Sequence, residues 1–322
     1  MRLPEIALGL QNEDSNWDEV SVDQARTWLT FCCMDLGRHI NQNYFISEVT
    51  RYTELGKHLL YTPFCRNVDF RIDAYLEVLS IANNARKTFQ FSNNFKSEPI
   101  SVENLELLQE SNHKLDSWYH RHSTAVDPVY QSYSKPQDRD RMKIPYNLIR
   151  MYTNGYVLHG LKPGVSAIHP LRVHFVGIAV DAGIKLLDCA LQSMNYQSTL
   201  KYSIDYSDSS LGSAINYLLH ACNVAFHYVN TNEIIQVLER AQKMFQNANL
   251  NSKAQELSNA LGQLVQANAV SSEMNTSSHQ DQAMNDHQMS DNPDWLSNFR
   301  LPLSDFSLDE VSLENIFLYS GE

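Results

Sequence analysis

The chain has 322 residues, 43% of them hydrophobic and 10% aromatic, which is enough apolar material for a substantial core. Glycine and proline are scarce, at 11 and 10 residues, and this scarcity favours helices over turn-rich β-structure. The net charge of −12 is concentrated in residues 271–322, with ten acids and one base, whereas the first 270 residues hold 27 acids and 24 bases and show no basic excess for nucleic acid.

The N-terminal sequence predicts neither a signal peptide nor a membrane anchor. It lacks a basic segment followed by a long apolar run, and no stretch of the chain reaches about 18 uncharged apolar residues. We therefore expect a soluble intracellular protein. Residues 1–20 are expected to be poorly ordered.

Helical spacing recurs along the first part of the chain. Ser21 and Gln24 form a capping-box pair that predicts a helix start at residue 21. A second helix is predicted over residues 68–91, and Ser101 is placed to cap a third. The apolar residues of these three helices recur at i, i+3 and i+4 spacing: Ala25, Trp28, Leu29 and Cys32, then Ile72, Tyr75, Leu76, Leu79 and Ile81, then Leu105, Leu108, Leu115, Trp118 and Tyr119.

The second part of the chain is more apolar. Pro145 fits the first turn of a helix, and two helices over roughly residues 173–191 and 211–226 are apolar all round, so they are expected to lie centrally. Two further helices carry apolar stripes: Ile234, Leu238, Ala241 and Phe245, then Leu257, Leu261, Leu264 and Val265. We predict an all-α, irregular multi-helix bundle of eight or nine helices over residues 21–270.

Cysteine and histidine pairs offer candidate metal or redox sites. Neighbouring residues on a helix cannot both face one ion, so Cys32 and Cys33 are interpreted as buried thiols. His120 and His122 point to different faces of a helix, and we interpret them as an exposed helix end instead of a ligand pair. The five cysteines are odd in number and widely spaced, which predicts thiols in a reducing compartment: Cys32, Cys33, Cys65, Cys189 and Cys222.

Aromatic and histidine side chains gather in the middle of the chain. A bundle interior could hold a small effector if it were lined by these side chains: Tyr146, Tyr152, Tyr156, His159, His220 and His227. The alternative is ordinary core packing with the tyrosine hydroxyls hydrogen-bonded at its rim. The sequence favours ordinary packing.

The last 52 residues, here called the tail (residues 271–322), combine acids with bulky apolar side chains. A polar linker is predicted over residues 271–290, and an acidic-hydrophobic segment over residues 291–322. Such a segment cannot bury enough apolar surface to fold alone, and it is typical of disordered segments that dock on a partner. The candidate partner-binding residues are Trp295, Phe299, Leu303, Phe306, Leu313, Ile316 and Phe317.

A short helix is predicted inside the tail. Ser307 and Glu310 form a capping box, and Phe306 and Val311 are placed for a hydrophobic staple. The helix is too short to be stable in water, so we expect it to form in a partner's groove. The alternative is a C-terminal strap that folds back onto the bundle.

The segment ARTWLTFCCMDLGRHI, residues 25–40, resembles the central regulatory domain of fungal zinc-cluster transcription factors. Arg26, Trp28 and Asp35 match that family's R-x-W helix, which ends near an aspartate, and His39 stands where the family commonly has proline. LDSWYHRH (residues 115–122), the helix at residues 146–159 and VGIAVDAGIKLLDCA (residues 176–190) follow in the family's order. Together these segments cover about residues 20–230.

The resemblance implies a nuclear regulator of RNA polymerase II transcription, with this chain as its regulatory and activation part. Its partners would be a coactivator or the general transcription machinery, and homodimerisation of a full-length protein is left open. The family's six-cysteine zinc cluster needs closely spaced C-x2-C pairs, which this sequence lacks. We therefore expect no direct DNA binding by this chain, no cofactor in it, and zinc only in a missing N-terminal cluster.

Motifs of enzymes are absent from the sequence. It has no G-x-G-x-x-G, G-x-x-x-x-G-K, H-E-x-x-H or G-x-S-x-G pattern, so we expect a protein that is not an enzyme. The alternative to a transcription regulator is a helical scaffold or adaptor whose acidic tail straps onto the bundle.

Overall fold

The computed structural model of the chain describes residues 18–42, 49–90, 101–124, 142–158, 161, 168–199 and 206–277. Within these ranges the regular structure is helical and no strand is present, which confirms the predicted all-α bundle. The described part holds nine α-helices of twelve or more residues, one shorter α-helix, and two 3-10 turns at Tyr156–Leu158 and Phe226–Tyr228. The α-helices are α1 Glu19–Gln42, α2 Val49–Leu60, α3 Asn67–Gln90, α4 Val102–Thr124, α5 Lys143–Gly155, α6 Pro170–Gln192, α7 Met194–Thr199, α8 Tyr206–Val224, α9 Thr231–Asn247 and α10 Asn251–Ser277.

Side-chain caps mark the starts of α4 and α1, and the cap of α1 is not the predicted residue. Ser101 caps α4 as predicted, because its Oγ accepts a hydrogen bond from the Asn104 amide at 3.4 Å. The prediction for α1 is wrong. Asp18 Oδ1 accepts from the Ser21 amide at 2.7 Å, so the cap lies three residues before Ser21 and the helix begins at Glu19.

The turn between α9 and α10 is set by a left-handed residue. Asn249 has φ of 61°, a conformation that asparagine adopts more readily than most residues. The Leu250 amide donates to the Phe245 carbonyl at 2.9 Å, and the Asn249 amide donates to the Gln246 carbonyl at 3.0 Å. These two bonds form a Schellman cap, which satisfies the last carbonyls of α9 and reverses the chain into α10.

Helix α2 was not predicted from the sequence. Its buried residues Val49, Leu55, Gly56, Leu59 and Leu60 lie on one face at helical spacing. This apolar spacing is visible in the sequence, but a glycine and β-branched residues lower the helix propensity of the segment. Packing against α3 overrides that propensity.

Buried apolar side chains form two cores, and three helices contribute to both. The N-terminal core lies among α1, α2 and α3, and the C-terminal core lies among α5, α6, α8, α9 and α10. Helix α4 places Leu105 and Leu108 in the C-terminal core and Leu115 and Trp118 in the N-terminal core. Helices α3 and α5 are also divided in this way, so these three helices hold the halves of the bundle together.

The ends of the bundle differ slightly from the predicted limits of residues 21 and 270. Helix α1 begins at Glu19, and α10 continues to Ser277, so residues 271–277 of the predicted linker are helical. The rest of the predicted linker, the acidic-hydrophobic segment over residues 291–322 and most of the N-terminal segment lie outside the described residues.

Replacing Gly56 by alanine tests the close packing of α2 against α3. A Cβ at residue 56 would come within 2.8 Å of Leu76 Cδ1 and 3.4 Å of the Asp73 Cα. Overpacking a core costs about 1–3 kcal/mol, more than the roughly 1 kcal/mol that alanine gains in helix propensity. We expect Gly56→Ala to lower the free energy of unfolding by about 1 kcal/mol in urea titrations followed by circular dichroism.

Gly177→Ala is the matched control, since a Cβ there meets nothing within 4 Å. It should raise the free energy of unfolding by about 0.5–1 kcal/mol. Equal effects of the two substitutions would contradict this account of the α2–α3 contact.

Candidate functional site

A buried ion pair joins α1 to the start of α3. The Arg26 guanidinium donates to both carboxylate oxygens of Asp69, from Nε at 2.5 Å and from Nη2 at 2.9 Å. It also donates to the Phe64 carbonyl at 3.0 Å and pairs with Asp23. The Arg66 amide donates to Asp69 Oδ2 at 2.8 Å, so the buried carboxylate is bonded on both oxygens. This Arg26–Asp69 clamp fixes α1 on the α2–α3 connection.

Electrostatics favour the charged form of the clamp. Burial alone would lower the pKa of the Arg26 guanidinium, but the hydrogen bond to Asp69 and the charges of Asp69 and Asp23 outweigh it and raise that pKa. Asp69 is fully buried and Arg26 is 7% exposed. The clamp is therefore a buried structural element.

Helix α3 carries three carboxylates on one face, at i, i+4 and i+8. Asp69 and Asp73 are fully buried, and the Glu77 side chain is 16% exposed. Glu77 pairs with two residues at the end of α4, with Arg121 Nη2 at 2.9 Å from Oε1 and with His122 Nε2 at 2.9 Å from Oε2. The stripe thus binds α1 at one end and α4 at the other.

The environment of Glu77 favours its ionised form. Burial raises the pKa of this carboxyl, but the hydrogen bond to His122 and the positive charge of Arg121 outweigh the burial, and the net shift is downward. His122 is fully buried between the rings of Phe70 and Trp118. The interpretation of His120 and His122 as an exposed helix end is therefore wrong for His122, because the last turns of α4 pack against α3.

Polar residues form an antiparallel ladder between α4 and α5, with three rungs. In the first rung the rings of Tyr119 and Tyr146 stack with centroids 4.4 Å apart. In the second, Asp116 accepts from the Tyr146 hydroxyl at 2.6 Å and pairs with Arg150. Burial and the hydrogen bond to Asp116 raise the pKa of Tyr146, against the charge of Arg150, so this phenol remains a donor.

The third rung is a reciprocal pair of buried amides. Asn112 Nδ2 donates to Asn154 Oδ1 at 2.7 Å, and Asn154 Nδ2 donates to Asn112 Oδ1 at 2.9 Å. The second proton of each amide is bonded to its own helix, at the Leu108 and Arg150 carbonyls. Both side chains are buried and fully bonded, which makes the pair specific for one alignment of α4 and α5.

The predicted effector-pocket residues do not all come together. Tyr146 belongs to the N-terminal core, whereas Tyr152 and Tyr156 pack on the C-terminal core. The Tyr152 hydroxyl donates to Ser213 Oγ at 2.7 Å. His159 lies outside the described residues, and His220 and His227 are exposed. The small effector therefore stays a prediction, and the arrangement of Tyr146 and Tyr152 is that of packing residues with bonded hydroxyls.

Cys32, Cys33 and Cys222 are buried, as predicted from the sequence. Cys65 and Cys189 are half-buried. Burial raises the pKa of the Cys33 thiol well above its usual range and that of Cys222 to about 12. Thiols held protonated in this way are weak nucleophiles.

One surface cleft lies between α6 and the start of α9. Its volume is about 200 Å³, and it is lined by residues that include Asp181, Tyr228 and Glu233. Asp181 is paired with Lys185 at 2.8 Å, and the Tyr228 hydroxyl accepts from the Ile168 amide at 3.3 Å. The cleft is smaller than the roughly 300–1,000 Å³ of ordinary ligand sites, and its polar groups already have partners.

Among the described residues, no group of three or more histidine, cysteine, aspartate or glutamate side chains is placed to hold a metal ion. No helix of the described part is long and apolar enough to cross a membrane.

The predicted partner-binding residues of the tail lie outside the described residues, as does the predicted capping box. They are Trp295, Phe299, Leu303, Phe306, Ser307, Glu310, Leu313, Ile316 and Phe317.

No protein-family model, no curated protein and no solved structure matches the chain. The likeness to fungal zinc-cluster regulators therefore remains a prediction from residues 25–40 and the segments that follow. The geometry gives two of its motif residues a structural role. Arg26 forms the clamp, and the Trp28 ring packs edge-on against Tyr52 with centroids 5.2 Å apart.

The sequence interpretation missed the polar contacts that organise the body. Asp69, Asp73 and Glu77 are spaced four residues apart on a predicted helix, and the prediction concerns only the apolar side of that helix. That spacing places the three carboxylates on one face, which is the signal that was available. Their partners Arg26 and Arg121 lie about 40 residues away in sequence, and no local pattern reveals such a pairing.

Replacing Arg26 tests how much the clamp contributes to the stability of the fold. Arg26→Met leaves the buried Asp69 carboxylate without its countercharge, and breaking a buried pair from one side costs about 3–5 kcal/mol. We expect a loss of that size in the free energy of unfolding. Arg66→Ala is the control, because Arg66 pairs with Glu19 and Asp23 at the surface, where a pair contributes about 0–1 kcal/mol. A loss in Arg26→Met as small as the one in Arg66→Ala would refute the clamp.

Acid stability should depend on Glu77. Its folded-state pKa is lowered, so its stabilising contribution is fully present above the ordinary glutamate pKa of about 4.3 and is lost as the pH falls from there through the lower pKa of the folded state. We expect Glu77→Gln to be less stable than the wild type at pH 7 and to lose less stability on acidification to about pH 3. The measurement is urea unfolding across pH, with Glu106→Gln at an exposed position of α4 as control. An unchanged pH profile in Glu77→Gln would contradict the pairing.

Proposed function

We propose that the chain regulates RNA polymerase II transcription in the nucleus, as the regulatory and activation part of a regulator of the fungal zinc-cluster type. The body is a helical scaffold, and the tail binds a coactivator or the general transcription machinery. DNA targeting comes from a zinc cluster that this sequence does not contain.

The observation that carries the proposal is the composition of the tail. Residues 271–322 hold ten acids and one base, with twelve bulky apolar residues between Trp295 and Leu318. The hydrated, mutually repelling carboxylates oppose collapse of the aromatic side chains, which stay available to a partner's groove. The capping box at Ser307 and Glu310 gives a bound helix a defined start.

The body supports the proposal through its neutrality and its internal contacts. The first 270 residues are nearly balanced in charge, and the buried charges of α1, α3 and α4 pair with one another. A scaffold of this kind is suited to hold a binding segment, and the strong unbalanced charge of the chain lies beyond it. The R-x-W motif behind the resemblance has a packing role in α1, as expected for a fold-defining element.

The tail is tested by fusing residues 278–322, which begin where α10 ends, to a heterologous DNA-binding domain. We expect the fusion to activate a reporter gene, and replacement of Trp295, Phe299, Phe306 and Phe317 by alanine to abolish the activity, because those side chains are the anchors. A control with Ser297, Asn298 and Ser304 replaced by alanine keeps the anchors and should keep the activity.

A fusion that does not activate the reporter gene would contradict the proposal for the tail. In the full chain, the four aromatic replacements should leave the thermal unfolding of the bundle unchanged. If they lower its melting temperature, the tail is a strap on the bundle, and the scaffold or adaptor alternative is correct.

A further inference from the structure

The two cores of the bundle meet along α4 and α5. Helix α4 enters the C-terminal core with Leu105 and Leu108 and the N-terminal core with Leu115 and Trp118. Asn112 lies between these two pairs, at the point where α4 passes from one core to the other. Its partner is Asn154 near the end of α5, a helix that also contributes to both cores.

The three rungs of the α4–α5 ladder differ in how much they contribute to stability. Asp116 is 50% exposed and its partner Arg150 is 20% exposed, so that ion pair is screened by water and contributes little. The stacked tyrosines are half-buried. The Asn112–Asn154 pair is buried, and breaking it leaves one N–H and the carbonyl oxygen of each amide without a partner in a low dielectric. It is therefore the rung with the largest penalty for misalignment.

A polar pair at this place restricts the packing in a way that leucine would not. Apolar side chains pack acceptably in more than one alignment, whereas two amides that bond each other require one. Sliding α4 along α5 by one helical turn, about 5.4 Å, would break every rung of the ladder. The pair thus fixes how the N-terminal core sits relative to the C-terminal core.

We propose that the Asn112–Asn154 pair is a latch that couples the two cores. With the pair intact, the halves of the bundle open and unfold together. Without it, each half opens on its own, and a change in one half no longer reaches the other through α4 and α5. The inference concerns the bundle alone, so it stands whether or not the tail activates transcription.

Hydrogen exchange measured by mass spectrometry on the full chain, at increasing urea, tests the latch. Peptides from α1 and α2 report on the N-terminal core, and peptides from α9 and α10 report on the C-terminal core. In the wild type we expect the two sets to share one midpoint. In N112L/N154L, where leucine keeps the heavy-atom branching of asparagine, the two midpoints should separate.

The single variants add a second readout. N112L leaves Asn154 without its partner, and we expect the amides of α4 and α5 to exchange about tenfold faster than in the wild type. N147L is the matched control. Asn147 is buried on α5, but its side chain bonds only the Lys143 carbonyl of its own helix, at 2.7 Å, so N147L should keep a shared midpoint.

Coincident midpoints in the double variant would overturn the proposal, since the pair would then only add stability. Separate midpoints in the wild type would overturn it as well, because there would be no coupling to lose. If the leucine pair prevents folding, N112A/N154A is measured in the same way and judged by the same two outcomes.

Discussion

Helices α4 and α5 have to bury apolar side chains in two cores at once, and the arrangement of the bundle depends on that constraint. A helix that serves one core can slide or rotate slightly and repack, whereas a shift of α4 disturbs Leu108 in one core and Trp118 in the other at the same time. Hydrophobic burial supplies the driving force but does not by itself select one alignment of α4 and α5. The polar ladder selects it, because amide and tyrosine pairs have directions and lengths that apolar contacts lack.

The two parts of the chain differ in whether their acidic residues are balanced by basic ones. In the body, Asp69 and Glu77 face inward and each has a basic partner from another helix. Burying these carboxylates costs desolvation, and the pairing offsets that cost while fixing which helices meet. The tail differs in sequence, since it has ten acids and one base within 52 residues. The pairing of the buried carboxylates helps to hold the body in a fixed shape, whereas the charge imbalance of the tail underlies the binding role that we propose for it.

Local patterns in the sequence were sufficient for the helices and insufficient for their contacts. The apolar spacing that placed helices over residues 68–91 and 173–191 agrees with α3 and α6 to within a few residues, because amphipathic periodicity is a local property. Helix α2 was missed since Gly56 looks like a helix breaker, although in the fold it is the residue that lets α2 approach α3. The exposed end predicted for His122 failed for a related reason: nothing within α4 shows that Glu77, 45 residues earlier, lies against it.

The same limit bears on function. Arg26 and Trp28 carry the resemblance to a family of regulators, and in the fold both are occupied by contacts within the N-terminal half, with Asp69 and with Tyr52. Because these motif residues hold helices together, the motif is evidence about the fold and is not by itself evidence about an activity. Buried polar groups of α3, α4 and α5 likewise bond to neighbouring helices, as Asp69 does to Arg26, Glu77 to His122 and Asn112 to Asn154. We therefore base the proposed function on the tail, where aromatic side chains and unbalanced charge coincide in the sequence.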